Sequence, residues 1–378
     1  MNKILKYCAI CLQTNLRPNT LFSKEDICPT CIYVSNLQNI DWDERFQILK
    51  NIIYKYKTNT YDCVLGVSGG KDSTRQALWL RDKLGVKPLL VCLGYPPQQV
   101  TETGVNNLSN LINLNFDTIL STLAPKTWRS LLKKSFFKFA NWAKSTELAL
   151  HSFVPQVAIR YKIPLIFWGE NPGLQVGDLK TKSNKGYDGK NLKYLNTLNG
   201  GNVDWIDKKY KKKLFPYIYP SEKEFYKNKT KIIYLGWFLK DWSLVNNAKY
   251  SIIHGLKIRH EKFFKKGDLY GVTSLDEDWV LINQMIKYYK YGFGRASDYI
   301  NEEIRMGNIS RGEGVKIIEK YDHRCSSSTI NSFCKYISIT KDEFWLVVKK
   351  HMNKQLFYFD KKNKIHKKFA VGQNFKLN

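Results

Sequence analysis

The sequence predicts an α/β protein, a doubly wound parallel sheet with a four-cysteine knuckle ahead of it and a helical extension behind. Three observations predict this. An apolar run (Val64, Leu65, Val67) enters Ser68-Gly69-Gly70-Lys71-Asp72-Ser73, after which Ala77, Leu78, Leu80 and Leu84 recur at helical spacing. Short apolar runs then alternate with helical stretches, the pattern of strands buried on both faces of a parallel sheet. Finally, Cys8-Ala-Ile-Cys11 and Cys28-Pro-Thr-Cys31 precede all of this.

Taken in order, the two CxxC pairs present four thiolates to one tetrahedral Zn²⁺. The site reads as structural, because four sulfurs leave no open coordination position. In a segment with little core of its own, the metal supplies folding free energy. Asp41 caps a helix to Lys57 whose Trp42, Phe46, Leu49, Ile53 and Tyr56 share one face. Lys87–Gly94 is a second buried strand, with Cys92 as plain core. Glu102–Leu114 suits a helix, Asp117–Leu123 a third strand, and Trp128–His151 a long helix or helix pair. Pro164–Gly169 is a fourth strand, ending at Glu170-Asn171. His151, on an apolar helix face, reads as structural or functional.

Leu179 to about Tyr217 is polar and rich in Gly, Asn and Lys, either a lid over the crevice or an inserted loop. Ile232–Trp242 is a strand and an aromatic turn; Trp237, Phe238 and Trp242 suit a sugar ring or packing. Ser274-Leu-Asp-Glu277 reads as a capping box for a helix to Tyr291. Helices are expected over Tyr299–Met306 and from Ser310, as cap, to Tyr321. Cys325 and Cys334 read as ordinary thiols, and the tail from His351 is basic and weakly patterned. The expected units are residues 1–40, the metal module; 41–230, the nucleotide domain; and 231–378, a mostly helical region for substrate or partner.

Composition bounds the function. Hydrophobic content of 43% with 14% aromatic residues excludes wholesale disorder in the 378 residues. A formal charge of +28 points to an anionic partner, but the excess of Lys over Arg beside abundant Asn, Ile and Tyr reads as a bias spread over the surface. No stretch reaches the ~18 apolar residues of a membrane span. Met1–Lys6 leads into no secretion signal, so a cytoplasmic protein without membrane contact is expected.

The glycine turn carries the chemistry. Gly69 and Gly70 let the backbone come close to a phosphate, the helix N-terminus attracts it, and Ser68 and Ser73 add donors. Lys71 can neutralise charge, and Asp72 can hold magnesium or orient Lys71. Ligands of such sheets sit beyond the carboxyl ends of the strands, so the loops after Val67, Leu93 and Trp168 should face one crevice.

SGGKDS resembles the PP-loop of the ATP pyrophosphatase superfamily, whose sheet is of the adenine nucleotide alpha hydrolase-like type. Together with the CxxC pairs and the Arg17-Pro18 between them, WGEN at Trp168–Asn171, YLGWFLKDW, and KYGFGRASDYINEEIRMGNISRGEGVKIIEKYD at Lys290–Asp322, it is similar to the N-acetyl sugar amidotransferases of the WbpG/PseA type. The resemblance implies ATP, Mg²⁺ and structural Zn²⁺, with an acetamido group of a bacterial surface sugar converted to acetamidino. Lys71 and Asp72 would be catalytic, and Ser68, Gly69, Gly70 and Ser73 would complete the ATP site. Glu170 and Asn171 would line the crevice. Arg295, Asp298, Arg305 and Arg311 are candidates for an acidic sugar or the phosphates, or are helix-surface ion pairs. Residue 2 is Asn2 where some amidotransferases carry a glutaminase cysteine, so the resemblance implies a HisH-like glutaminase partner and, for some members, a HisF-like ammonia channel. Nucleic acid is not expected as a partner on this reading. The rival is a tRNA-modifying PP-loop enzyme, a thiolase or lysidine synthetase, which the charge favours. A non-catalytic regulator that binds nucleotide is the third reading, and the intact Lys71–Asp72 pair argues against it.

Overall fold

The computed structural model describes residues 4–175, 177, 185–259, 268–362 and 364–377. Strand β1 (Ile4–Leu5) and helices α1 (Pro29–Ser35) and α2 (Trp42–Tyr56) precede the sheet. The α/β unit runs β2 (Cys63–Gly66), α3 (Lys71–Leu84), β3 (Pro88–Gly94), α4 (Glu102–Asn113), β4 (Thr118–Thr122), α5 (Pro125–Phe139), α6 (Ala143–Arg160), β5 (Leu165–Trp168), α7 (Pro172–Gln175), α8 (Glu222–Lys227) and β6 (Lys231–Tyr234). The strands lie in the order β4-β3-β2-β5-β6, every neighbouring pair parallel. The order reverses between β2 and β5, and that switch point is where a doubly wound sheet opens a crevice.

Alternation along the strands explains why both faces are covered. Cys63 and Leu65 of β2, and Leu165 and Phe167 of β5, join the core under α2 and α3. Val64, Ile166 and Trp168 point the other way, into a core completed by Val154, Val157 and Ala158 of α6. His151 stacks on Trp168 and its Nδ1 lies 2.9 Å from the Glu147 carbonyl, a structural placement.

Then come α9 (Leu244–Ile253), α10 (Val280–Tyr291), α11 (Arg295–Arg305), α12 (Arg311–Tyr321), α13 (Ser327–Ile337) and α14 (Lys341–His351). They are followed by the hairpin β7 (Phe357–Phe359) and β8 (Ile365–Lys367), and by β9 (Phe375–Lys376), which pairs antiparallel with β1. Phe136 of α5 meets Phe333 of α13 and Phe344 of α14 in one aromatic core, so the C-terminal helices share their interior with the sheet's own helices.

Several expectations move. The boundary at 230 cuts the sheet, because Lys231–Tyr234 is its fifth strand and buries Ile232 and Ile233. Of the expected lid, Leu179–Asn184 lies outside the described residues. The part from 185 onward is packed: Asp188 bridges to Ile233 along the edge strand, and Leu192, Leu198, Trp205, Ile206 and Tyr217 are buried. Helix α10 starts at Val280, whose N–H donates to the Glu277 carboxylate. Ser274 has φ +46°, a left-handed conformation incompatible with the extended backbone of an N-cap. Asp41 and Ser310 do cap α2 and α12, the latter with a full capping box. Phe238 and Trp242 are core, and Trp237 stacks under the Arg45 guanidinium, so this aromatic turn is packing. Among the described residues no helix is long and apolar enough to cross a membrane.

Candidate functional site

The glycine turn follows β2 directly. The Ser68 amide donates to Ser73 Oγ at 2.9 Å, which folds the loop back on the helix it introduces. Gly69 has φ +81°, and a Cβ there would stand 2.6 Å from the Leu108 amide nitrogen of α4. Gly70 is the N-cap of α3 and offers no side-chain acceptor, so the first amides of α3 are left for a ligand. Lys71 Nζ lies 2.6 Å from Asp72 Oδ2, and Asn247 of α9 donates to Asp72 Oδ1 at 2.7 Å. Ser251 of α9 donates to the Lys71 carbonyl. The basic and acidic side chains of the turn are therefore held from a second helix.

Glu170 follows β5, across the switch point. Its Oε2 is buried and has no hydrogen-bond partner among the described residues. Burial, then the nearby Asp72 carboxylate, push its carboxyl up to about 7. Gly169 keeps the two strand ends close: a Cβ on it would stand 3.4 Å from Asp72 Cβ. Two neighbouring carboxylates, one with an unpartnered oxygen, suit a divalent cation with oxygen ligands, and Asp72 and Glu170 are the residues that would hold Mg²⁺. Asn171 does something else. Its amide donates to Tyr33 Oη and the Gly236 carbonyl while its oxygen accepts from the Leu174 amide, so it shapes the loop.

A cleft of about 330 Å³ lies over the turn. One wall is Ser68–Ser73; the other comes from Thr273, Ser274, Asp276, Arg295, Asp298 and Glu302. Helix α11 enters this wall through a cap supplied by Asp322, whose carboxylate accepts from the Gly294 and Ser297 amides. Arg295, Asp298 and Glu302 then repeat at three and four residues, one face of the helix. Arg295 reaches Tyr299 Oη at 2.5 Å, the Thr273 hydroxyl, and Ser274 Oγ at 3.1 Å. Among the described residues no carboxylate lies within ion-pair distance of it. Glu302 accepts from the Leu244 amide at 2.6 Å, and burial pushes its carboxyl up. Burial likewise pushes Asp276 up to about 6.

Two of the expected substrate residues lie elsewhere. Arg305 sits ten residues along α11 from Arg295, about 15 Å at 1.5 Å per residue, and contacts Cys11 Sγ at 3.5 Å and Gln13 Oε1 at 3.0 Å. Arg311 donates to the Cys11 and Gly372 carbonyls. Both serve the cysteine module. Conversely, sequence reasoning missed Glu302, Asp276, Thr273 and Asn247. The helical spacing 295-298-302 was a usable signal for Glu302; Asn247 had none.

Cys8, Cys11, Cys28 and Cys31 are all buried, with their sulfurs within 4.8 Å of one another. Backbone amides of Cys28, Gln13 and Cys31 point at sulfurs of Cys8, Cys11 and Cys28 at 3.3–3.4 Å. Four converging sulfurs with amide donors and a guanidinium behind them suit a thiolate-bound metal. Cys63 and Cys92 lie in β2 and β3, where burial pushes both thiols up, Cys92 to about 12.

Residues 258–371 match the family model described as "LPS biosynthesis protein WbpG-like, C-terminal domain". That stretch is thus similar to a WbpG-like C-terminal domain. The matched residues supply the wall opposite the glycine turn, and they contain the stretch Lys290–Asp322 on which the family resemblance rests most heavily. Among solved structures, an NMN synthetase from Francisella tularensis is similar at 13% identity and TM-score 0.32, over 81% of this chain and 96% of that one. An NH3-dependent NAD synthetase from Campylobacter jejuni, in complex with nitrate, is similar at 16% identity and TM-score 0.31, over 79% and 94%. A search of curated proteins returns no match. The fold assignment rests on the strand order and the position of the glycine turn.

Proposed function

We propose that the protein is an ATP-dependent amidotransferase, converting an acetamido group of a surface-sugar precursor to acetamidino and releasing AMP and pyrophosphate. The observation that carries this reading is the joint cleft: a PP-loop turn at the switch point of a parallel sheet, faced by a WbpG-like domain. In the reaction the acetamido oxygen attacks the α-phosphorus of ATP and pyrophosphate leaves. Ammonia adds to the imidate carbon, and AMP departs with the oxygen. The amides after Gly70, with Ser68, Ser73 and Lys71, would take the pyrophosphate end, and Asp72 and Glu170 would hold Mg²⁺, which screens the phosphate charge. Arg295 would receive an anionic group of the sugar, either a carboxylate or a phosphate. Most of the rate enhancement is then positioning and charge stabilisation.

Ammonia would come from a HisH-like glutaminase, with a HisF-like channel in some members. Zn²⁺ is the metal we assign to the four cysteines, as a structural ion, and the cytoplasm as the compartment of a reaction that consumes ATP. The units as proposed are the cysteine module, an α/β unit extended to residue 234 to include β6, and the helical remainder.

A second reading, a tRNA-modifying PP-loop enzyme, is favoured by one feature. A separate cleft at the amino ends of β5 and β6 is lined by nine lysines with Tyr56, Tyr219 and Phe225. Against a thiolase stand the buried, high-pKa Cys63 and Cys92.

Purified protein with MgATP, ammonium and a panel of diacetamido sugars tests the proposal. A sugar in which one oxygen has become NH, formed with AMP and pyrophosphate, is the expected product by mass spectrometry. Formation of AMP on tRNA, with no sugar altered, would replace this reading by the second.

A further inference from the structure

Asp298 lies three residues after Arg295 on the same face of α11, the spacing at which a carboxylate ordinarily neutralises a guanidinium. Here it makes no ion pair with Arg295, although its charge and that of Asp268 are still felt there. Its oxygens are taken by Arg17, which comes from the loop between the two CxxC pairs, and by Lys287 of α10 at 2.6 Å. Arg17 is fixed in turn by the Phe293 ring, 4.5 Å from its guanidinium carbon. Its loop is tied to the same helix at two further points, the Leu12 amide donating to Asn301 Oδ1 at 2.7 Å and Arg305 reaching Cys11 Sγ. Among the described residues Arg295 is left with hydroxyl partners, facing the cleft.

We infer that Arg17 is a positioning residue: delivered by the cysteine module, it holds Asp298 away from Arg295 and so keeps Arg295 open as the anion receptor of the cleft. The module is thereby more than a separate knuckle, since its fold decides whether one wall of the cleft carries a free cation. The role rests on the proposed function only for the identity of the anion, and it can be tested without turnover.

The probe is inorganic phosphate, titrated by calorimetry into the full-length protein whose glycine turn is already saturated with pyrophosphate, with bound metal measured on each sample. Arg295→Gln reports what the receptor contributes, a loss of roughly tenfold in affinity for one charge-assisted contact. Arg17→Gln is expected to lose a similar factor while keeping its metal, because Asp298 then pairs with Arg295. The double variant Arg17→Gln/Asp298→Asn should regain most of the affinity, and Arg17→Lys should stay near the parent. A general structural defect would not be repaired by a second substitution. The inference is overturned if Arg295→Gln binds like the parent, if Arg17→Gln does, if the double variant is as weak as Arg17→Gln, or if Arg17→Gln loses the metal. An absence of sugar turnover would count against the proposed reaction and leave these affinities to decide the role of Arg17.

Discussion

Gly69→Ala is the substitution for which the structure yields the most detailed expectation. Two separate costs apply. The residue has φ +81°, where an L side chain loses about 1–2 kcal/mol. The added Cβ would also stand 2.6 Å from the Leu108 amide nitrogen and 2.8 Å from its Cα. These are backbone atoms of α4, which move only with the whole helix, so overpacking adds about 1–3 kcal/mol. The total is about 2–5 kcal/mol. Gly85→Ala separates the two costs: it has φ +63° and nothing within 4 Å of the new Cβ, so it should lose only the first, about 1–2 kcal/mol. Urea denaturation followed by tryptophan fluorescence measures both variants, and nucleotide titration should find binding lost in Gly69→Ala and kept in Gly85→Ala. If the two variants unfold within about 0.5 kcal/mol of each other, the close approach of turn and helix is wrong, and so is the cleft built on it.

Three other outcomes are expected. Glu170 has its carboxyl raised to about 7 from 4.5. Between those values the unfolded chain releases the proton first, so stability without Mg²⁺ falls as pH rises through that window. Mg²⁺ affinity should rise over the same range, and Glu170→Gln should flatten both profiles in thermal melts and Mg²⁺ titrations. Arg305→Met removes the guanidinium behind Cys11 and should weaken metal retention about 10- to 100-fold, read by competition with a chelator. Asp322→Ala strips the cap of α11, with its bonds to the Gly294 and Ser297 amides. It should cost about 2–4 kcal/mol, with faster amide exchange over 295–299 and little change in β2 and β3.

The parts of this fold governed by short-range rules were legible. The strand–turn–helix at 63–84 follows from apolar runs and two glycines, and the helix caps at Asp41 and Ser310 follow from residue type and spacing. Cysteine spacing likewise marked the four residues that converge. What escaped depends on distant partners. Asn171 looked like a crevice residue because it follows a strand, but its amide is used up by Tyr33 and Gly236. Arg305 and Arg311 shared a motif with Arg295 yet project to the opposite end of the helix layer. Ser274 had the letters of a cap, whereas its backbone is turned left-handed and its hydroxyl accepts from Arg295. Strand β6 was visible, but its membership of the sheet was not, since pairing with β5 depends on how sixty residues of intervening chain fold away.

The pairing of Ile4–Leu5 with Phe375–Lys376 has a bearing on how the molecule is made. At about 5–20 residues per second, the ribosome needs on the order of tens of seconds to reach the second strand after the first has emerged. For most of that interval the cysteine segment has its sulfurs but lacks Asn301, Arg305 and Arg311, the side chains that later grip it. A nascent chain would thus offer four thiols to metal or to oxidants well before its anchor exists. Synthesis speed and metal supply together would set the yield of intact protein. A tag or truncation at the far terminus would be felt at the near one.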